Sequence, residues 1–96
     1  MDQVGVTTKI KPSGENPEYV AVEVSGTIRK VEFQGTTHGI HLGLVKLDEI
    51  QRASAPMVGA VNRTDGSGRP LSWGTRVKIQ DAIADALLGE KKRLGV

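Results

Sequence analysis

The residues of this chain best suited to chemistry are basic side chains concentrated in its last third. Residues 63–96 hold seven Lys or Arg and four Asp or Glu, a net charge of +3, whereas residues 1–62 hold six and seven, a net charge of −1. The basic set is Arg63, Arg69, Arg76, Lys78, Lys91, Lys92 and Arg93. Because guanidinium groups suit bidentate contacts to phosphate, we interpret this set as a candidate nucleic-acid-binding surface.

Part of the same pattern has a purely structural explanation. Basic side chains near a helix C-terminus complement the helix dipole, which accounts for the last three residues of the set. Arg63, Arg69 and Arg76 have no such explanation. Trp73 lies among them and either stacks on a base or anchors a helix to the sheet. We expect the anchor, because aromatic residues are only 3 % of the chain and the core is short of large side chains.

No other group of residues forms a recognisable catalytic or metal-binding motif. The chain has no cysteine, which excludes disulfides and thiolate chemistry. His38 and His41 are three residues apart in an extended segment, so they point to opposite faces. The segment 65–68, Asp-Gly-Ser-Gly, lacks the Lys-Ser/Thr pair of a phosphate-binding P-loop. The sequence therefore predicts a protein that is not an enzyme and has no metal and no cofactor.

The elements that must position the basic residues are strands in the first 62 residues. Apolar residues alternate along Val4 to Ile10 and again along Tyr19 to Val24, as in half-buried strands. A change of parity beside Gly26 predicts a bulge or bend. Residues 34–37, Gln-Gly-Thr-Thr, predict a tight turn, and residues 38–45 predict another strand. Strands joined by such short turns are antiparallel.

The rest of the chain predicts a loop and a long helix. Residues 47–53 predict two helical turns that Pro56 stops, and residues 57–61 a short edge strand. Residues 62–71 predict a loop. An apolar stripe at helical spacing then predicts a helix over 72–88, N-capped by Ser72 or Thr75 and stopped by Gly89. The stripe is Ile79, Ala82, Ile83, Ala86 and Leu87.

These elements predict a single α+β domain over residues 1–96. Its parts are a β-rich region 1–62, the loop, the helix 72–88 packed on a four- or five-stranded antiparallel sheet, and a basic tail 89–96. A core with three aromatic residues, with Val77 and Leu88 off the helical stripe, favours burial against a second copy. We therefore expect a homodimer or larger oligomer.

The last third of the chain resembles a known family. Residues 74–83 (Gly-Thr-Arg-Val-Lys-Ile-Gln-Asp-Ala-Ile) and residues 92–95 (Lys-Arg-Leu-Gly) are similar to the C-terminal helix of the stage V sporulation protein G (SpoVG) family. The preceding Asp-Gly loop and Arg69-Pro70 occupy corresponding places, although the family's Met-Pro-Ser and His-Pro patterns are absent. The resemblance implies a small dimeric α+β regulator that binds DNA or RNA through basic residues around this helix.

Two functional interpretations remain open. The first is a small non-enzymatic regulator that binds DNA or RNA through the basic C-terminal surface. The alternative is a protein- or ligand-binding inhibitor or interaction module, of the kind encoded by phages and mobile elements, with a protein partner.

The N-terminal residues lack a signal pattern, and no apolar run approaches the ~20 residues of a membrane helix. The sequence therefore predicts a cytoplasmic protein without a membrane partner.

Overall fold

The computed structural model describes residues 5–95, which form a four-stranded antiparallel sheet with its helices on one face. The strands follow chain order across the sheet: β1 (Gly5–Pro12), β2 (Tyr19–Ile28), β3 (Val31–His41) and β4 (Val61–Arg63). The helices are α1 (Ile50–Ser54) and α2 (Trp73–Leu94), with 3₁₀ turns at Leu42–Leu44, Leu47–Glu49 and Pro56–Ala60. The predicted α+β fold is confirmed. Val4, predicted in the first strand, lies outside the described residues.

The core lies between the helices and one face of the sheet. Val20, Val22 and Val24 of β2 are buried on this face, together with Phe33 and Ile40 of β3. The opposite face carries mainly polar side chains, as in antiparallel sheets that have one side in water. The α2 residues that complete the core are Ile79, Ile83, Ala84 and Leu87.

The hairpin between β2 and β3 turns at Arg29 and Lys30, not at residues 34–37 as the sequence predicts. Both turn residues have positive φ, 51° and 67°, as a two-residue type I′ turn requires. The parity change near Gly26 therefore reflects this turn. The register irregularity between β2 and β3 lies elsewhere, where His38 and Gly39 of β3 face the single β2 residue Ala21. The two-residue turn lacks the usual Asn-Gly signal, which is why the sequence pattern misplaced it.

Gly35 lies inside β3 and serves close packing. A Cβ atom at this position would overlap the carbonyl oxygen of Ala60 and the Cα of Val61. Since Gly35 pairs with Val61, the missing side chain lets β4 and the turn before it approach the sheet. The turn predicted at residues 34–37 is therefore wrong. Gly35 continues β3, and the space left by its missing side chain is occupied by backbone atoms of Ala60 and Val61.

The middle of the chain is more helical than its apolar pattern indicates. The strand expected over 38–45 ends at His41 and passes into the turn Leu42–Leu44. The helix expected over 47–53 is confirmed as a 3₁₀ turn followed by α1. The edge strand expected over 57–61 is wrong, because the 3₁₀ turn Pro56–Ala60 occupies that segment and β4 starts only at Val61.

Helix α2 starts where the sequence predicts and ends later. Ser72 is its N-cap, and its Oγ accepts a hydrogen bond from the Thr75 backbone N–H at 3.2 Å. Gly89 lies within the helix, whereas Gly95, with φ 73°, caps its C-terminus. The expected end at residue 88 and the basic tail are therefore wrong for the described residues. Within residues 5–95, no helix combines the length and apolarity needed to cross a membrane.

Candidate nucleic-acid interface

A surface cleft of about 480 Å³ lies beside the first turns of α2. Its walls come from the turn Pro56–Ala60, from β4, from the end of the loop and from α2. The lining residues are Ala55, Pro56, Val58, Gly59, Val61, Asn62, Arg69, Pro70, Leu71, Trp73, Arg76, Val77 and Gln80. The cleft is in the size range of small-molecule and cofactor sites.

One side of the first turns of α2 forms a wall of this cleft. Trp73, Arg76, Val77 and Gln80 are spaced i, i+3, i+4 and i+7, so they lie on one side. In these first turns the buried residues are Thr75 and Ile79, about 200° and 240° around the helix from Trp73. Farther along α2, the buried Ala84 and Leu87 lie on the same side as the four cleft residues. Trp73 is 73 % exposed. The predicted role of Trp73 as an anchor to the sheet is therefore wrong, and its indole stands at the cleft.

The cleft floor is apolar and firmly built. Val58, Val61 and Leu71 are 7 %, 4 % and 6 % exposed. The turn that carries Val58 is tied to β3 by a 3.1 Å hydrogen bond from Thr37 Oγ1 to the Met57 carbonyl. The floor therefore belongs to the core, and only its upper surface faces solvent.

Side-chain hydrogen bonds shape the loop that presents Arg69. The Ser67 backbone N–H donates to Asp65 Oδ1 at 2.9 Å, and the Arg69 N–H donates to Ser67 Oγ at 3.2 Å. The bond from Ser67 is the main cause that holds the pKa of Asp65 below its ordinary value of 3.8, with the charge of Arg63 adding to it. Pro70 follows and favours an extended backbone at Arg69.

The cleft carries positive charge without a compensating acid. Its lining includes Arg69 and Arg76 and, among the described residues, no Asp or Glu. Within residues 5–95, neither guanidinium has a carboxylate within 4.0 Å. The N-terminal end of α2 adds the positive end of the helix dipole, and no acidic residue lies in its first turn. An anion in the cleft would therefore be attracted both by the two guanidinium groups and by the positive end of the helix dipole.

Arg63 and Lys78 lie near this cleft in sequence but do not line it. Arg63 is in β4, its side chain is 20 % exposed, and its Nη1 lies 3.7 Å from Asp65 Oδ2. Its buried Nε has no hydrogen-bond partner among the described residues. Lys78 is exposed but follows Arg76 by two positions, about 200° around the helix.

The basic residues at the C-terminal end of α2 form no single surface with the cleft. Lys92 lies about 24 Å from Arg76 along the helix axis. Lys91 is 5 % exposed, and its Nζ donates to the Leu42 carbonyl at 2.7 Å. Arg93 makes two hydrogen bonds to Glu90, 2.6 and 2.9 Å.

Arg93 and Glu90 compensate each other's charge. Their hydrogen bonds are the main cause that lowers the pKa of Glu90 and raises that of Arg93. Of the seven predicted site residues, the structure therefore brings together at the cleft only Arg69 and Arg76.

The two histidines are separated by a change in the backbone. His41 stacks on Tyr19 with ring centroids 4.5 Å apart, and its Nε2 lies 3.8 Å from Glu18 Oε1. Gly39, with φ 69°, lies between the histidines in the bulge of β3, where two β3 residues face Ala21. Within residues 5–95, no three His, Asp or Glu side chains cluster as a metal site would need.

Comparison of the chain with protein-family models, curated proteins and solved structures finds no match. The resemblance to the SpoVG family stays a prediction from the sequence. The feature of the molecule that bears on function is therefore the cleft, where Trp73 lies between Arg69 and Arg76 in sequence.

Proposed function

We propose that this protein is a small non-enzymatic regulator that binds DNA or RNA through the cleft. Arg69 and Arg76 contact phosphates, and Lys78 and Arg63 add charge nearby. The observation that carries the proposal is the presence of two cleft guanidiniums without a carboxylate partner in the described chain. We propose that the protein acts in the cytoplasm.

The chemistry of the cleft supports phosphate contact more than base reading. Phosphate contacts position a protein without conveying sequence information. Base reading in a major groove requires several side chains projecting from one exposed element. In α2 the polar residues of the cleft face are Arg76 and Gln80, and Gln80 Nε2 already donates to the Gln51 carbonyl at 2.7 Å. We therefore expect weak sequence preference and strong salt dependence.

Binding of labelled random-sequence DNA and RNA tests the proposal by fluorescence anisotropy at low salt. The informative variant is Arg69→Gln with Arg76→Gln. The matched control is Lys9→Gln with Lys92→Gln, which removes the same charge from exposed positions outside the cleft. We expect the cleft variant to lose affinity and the control to retain nearly all of it. Absence of binding by the parent protein would favour the protein-binding module instead.

We propose in addition that the regulator is a homodimer. The residues that first suggested this have other positions: Val77 lines the cleft, and Leu88 packs against the core. Leu44 and Leu47 are instead the exposed apolar pair, at 75 % and 59 %. Their burial against a second copy would remove apolar surface from water, and a dimer would present the cleft twice.

A further inference from the structure

Trp73 is unusual among the large side chains of this protein because it is exposed beside an apolar floor. Its indole is 73 % exposed, while Phe33 is fully buried and Tyr19 stacks on His41. Buried Leu71 and Thr75 flank it in sequence, so the backbone at this point is fixed. The exposed indole therefore stands on a rigid support rather than on a mobile loop.

The groups around the indole match the parts of one ligand class. An aromatic ring offers a stacking surface for a planar base, and guanidinium groups bind phosphate and stack on aromatic faces. Arg76 is one helical turn from Trp73, and Arg69 reaches the same cleft from the loop. A base beside Trp73 would thus have phosphate-binding groups on two sides.

From this arrangement we infer that the cleft binds single-stranded nucleic acid, with one unpaired base stacked on Trp73 and neighbouring phosphates held by Arg69 and Arg76. This inference rests on the proposed function and narrows it. Bases inside a duplex are already stacked on their neighbours, so an aromatic platform selects unpaired bases. Stacking is tolerant of sequence because every base has a π-face.

The sole tryptophan of the chain makes its own fluorescence a reporter for this contact. We would titrate the protein with oligo-dT and oligo-U, with a duplex of equal length, and with a mononucleotide. The variants are Trp73→Leu, Trp73→Phe and Arg69→Gln with Arg76→Gln. Tyr19→Leu removes an aromatic ring outside the cleft and serves as the matched control. Anisotropy of labelled oligonucleotides follows the variants without tryptophan, and circular dichroism checks that each one folds.

We expect single strands, but not the duplex, to quench the fluorescence of Trp73. Trp73→Leu should weaken single-strand binding by about 5- to 150-fold, the range found for one stacked base. Trp73→Phe should retain most of the affinity, and Tyr19→Leu should leave it unchanged. The arginine variant should weaken binding of single strands and duplex alike.

The other outcomes separate the two proposals. If single strands and duplex bind equally and Trp73→Leu changes neither, the stacking inference is overturned while the proposed function stands. If neither nucleic acid binds at low salt, both are overturned. Quenching by the mononucleotide alone, without binding of oligomers, would identify a small-ligand site and would also overturn both.

Discussion

Gly35→Ala should destabilise the protein strongly, because the new methyl group has no space. The Cβ atom would overlap backbone atoms of Ala60 and Val61 rather than the end of a flexible side chain. Overpacking of this kind costs about 1–3 kcal/mol where neighbours can shift. If β4 and the preceding turn instead leave the sheet, burial of Val58 and Val61 is lost, at about 1.5–3 kcal/mol each. We expect a loss of about 3 kcal/mol or more, a large part of the 5–15 kcal/mol typical of a domain.

Urea unfolding followed by circular dichroism measures this change, with Gly89→Ala as the matched control. Gly89 lies inside α2, is exposed and has nothing within 4 Å of its Cβ position. Alanine there should stabilise the protein by about 1 kcal/mol through helix propensity. If Gly89 instead ended the helix in a left-handed conformation, alanine would destabilise. Unchanged stability in Gly35→Ala would refute the proposed packing of β4, and a loss in Gly89→Ala would refute the length of α2.

Three further predictions concern other parts of the molecule. Lys91→Met should destabilise the protein by about 1–3 kcal/mol in urea unfolding, because the buried Leu42 carbonyl loses its charged donor. The same variant should leave nucleic-acid affinity unchanged, and a weaker affinity in the folded variant would contradict this. Light scattering at micromolar concentration should give a dimer that Leu44→Ser with Leu47→Ser converts to monomer, and a parent particle of 10.3 kDa would contradict the dimer. The pKa of Asp65 is lowered because its carboxylate accepts the hydrogen bond from Ser67. This bond therefore stabilises the loop fully at pH values above the ordinary Asp pKa, and the stabilisation is lost as the pH falls through the lowered pKa of the folded protein. The protection of the Ser67 amide, which is its exchange rate relative to the intrinsic rate at each pH, should therefore be lost only below the ordinary Asp pKa. Loss of protection near neutral pH would contradict the assignment.

The elements that the sequence predicts best are those with a local signal. The stripe from Ile79 to Leu87 and the cap at Ser72 locate α2, and alternation locates β1 and β2, whereas the bounds of β3 and β4 are predicted wrongly. Two of the errors lie at glycines, because glycine occurs both at breaks between elements and at positions within them. Gly35 and Gly89 both resemble breaks, but Gly35 makes room for another segment and Gly89 is tolerated within a helix held by tertiary packing.

The candidate site was only partly predictable. The excess of basic residues in the last third identified Arg69 and Arg76. Charge alone cannot distinguish them from Lys91, whose ammonium is buried and donates a hydrogen bond to the Leu42 carbonyl. The position of Trp73 was predicted wrongly, because scarcity of aromatic residues suggested burial. The spacing of Trp73, Arg76, Val77 and Gln80 places all four on one side of the helix. Leu87 falls on the same side farther along, so the spacing alone does not distinguish a cleft wall from the core stripe.

The salt dependence of nucleic-acid binding tests the central claim, that Arg69 and Arg76 contact phosphate, most directly. The slope of log K against log salt concentration measures the number of phosphates neutralised, at about 0.9 per phosphate in duplex DNA and about 0.7 in single strands. Arg69→Gln with Arg76→Gln should reduce the slope by about 1.8 on duplex or about 1.4 on single strands for each subunit. The Lys9→Gln and Lys92→Gln control should keep the parent slope. Equal slopes for the parent and the arginine variant would contradict the claim.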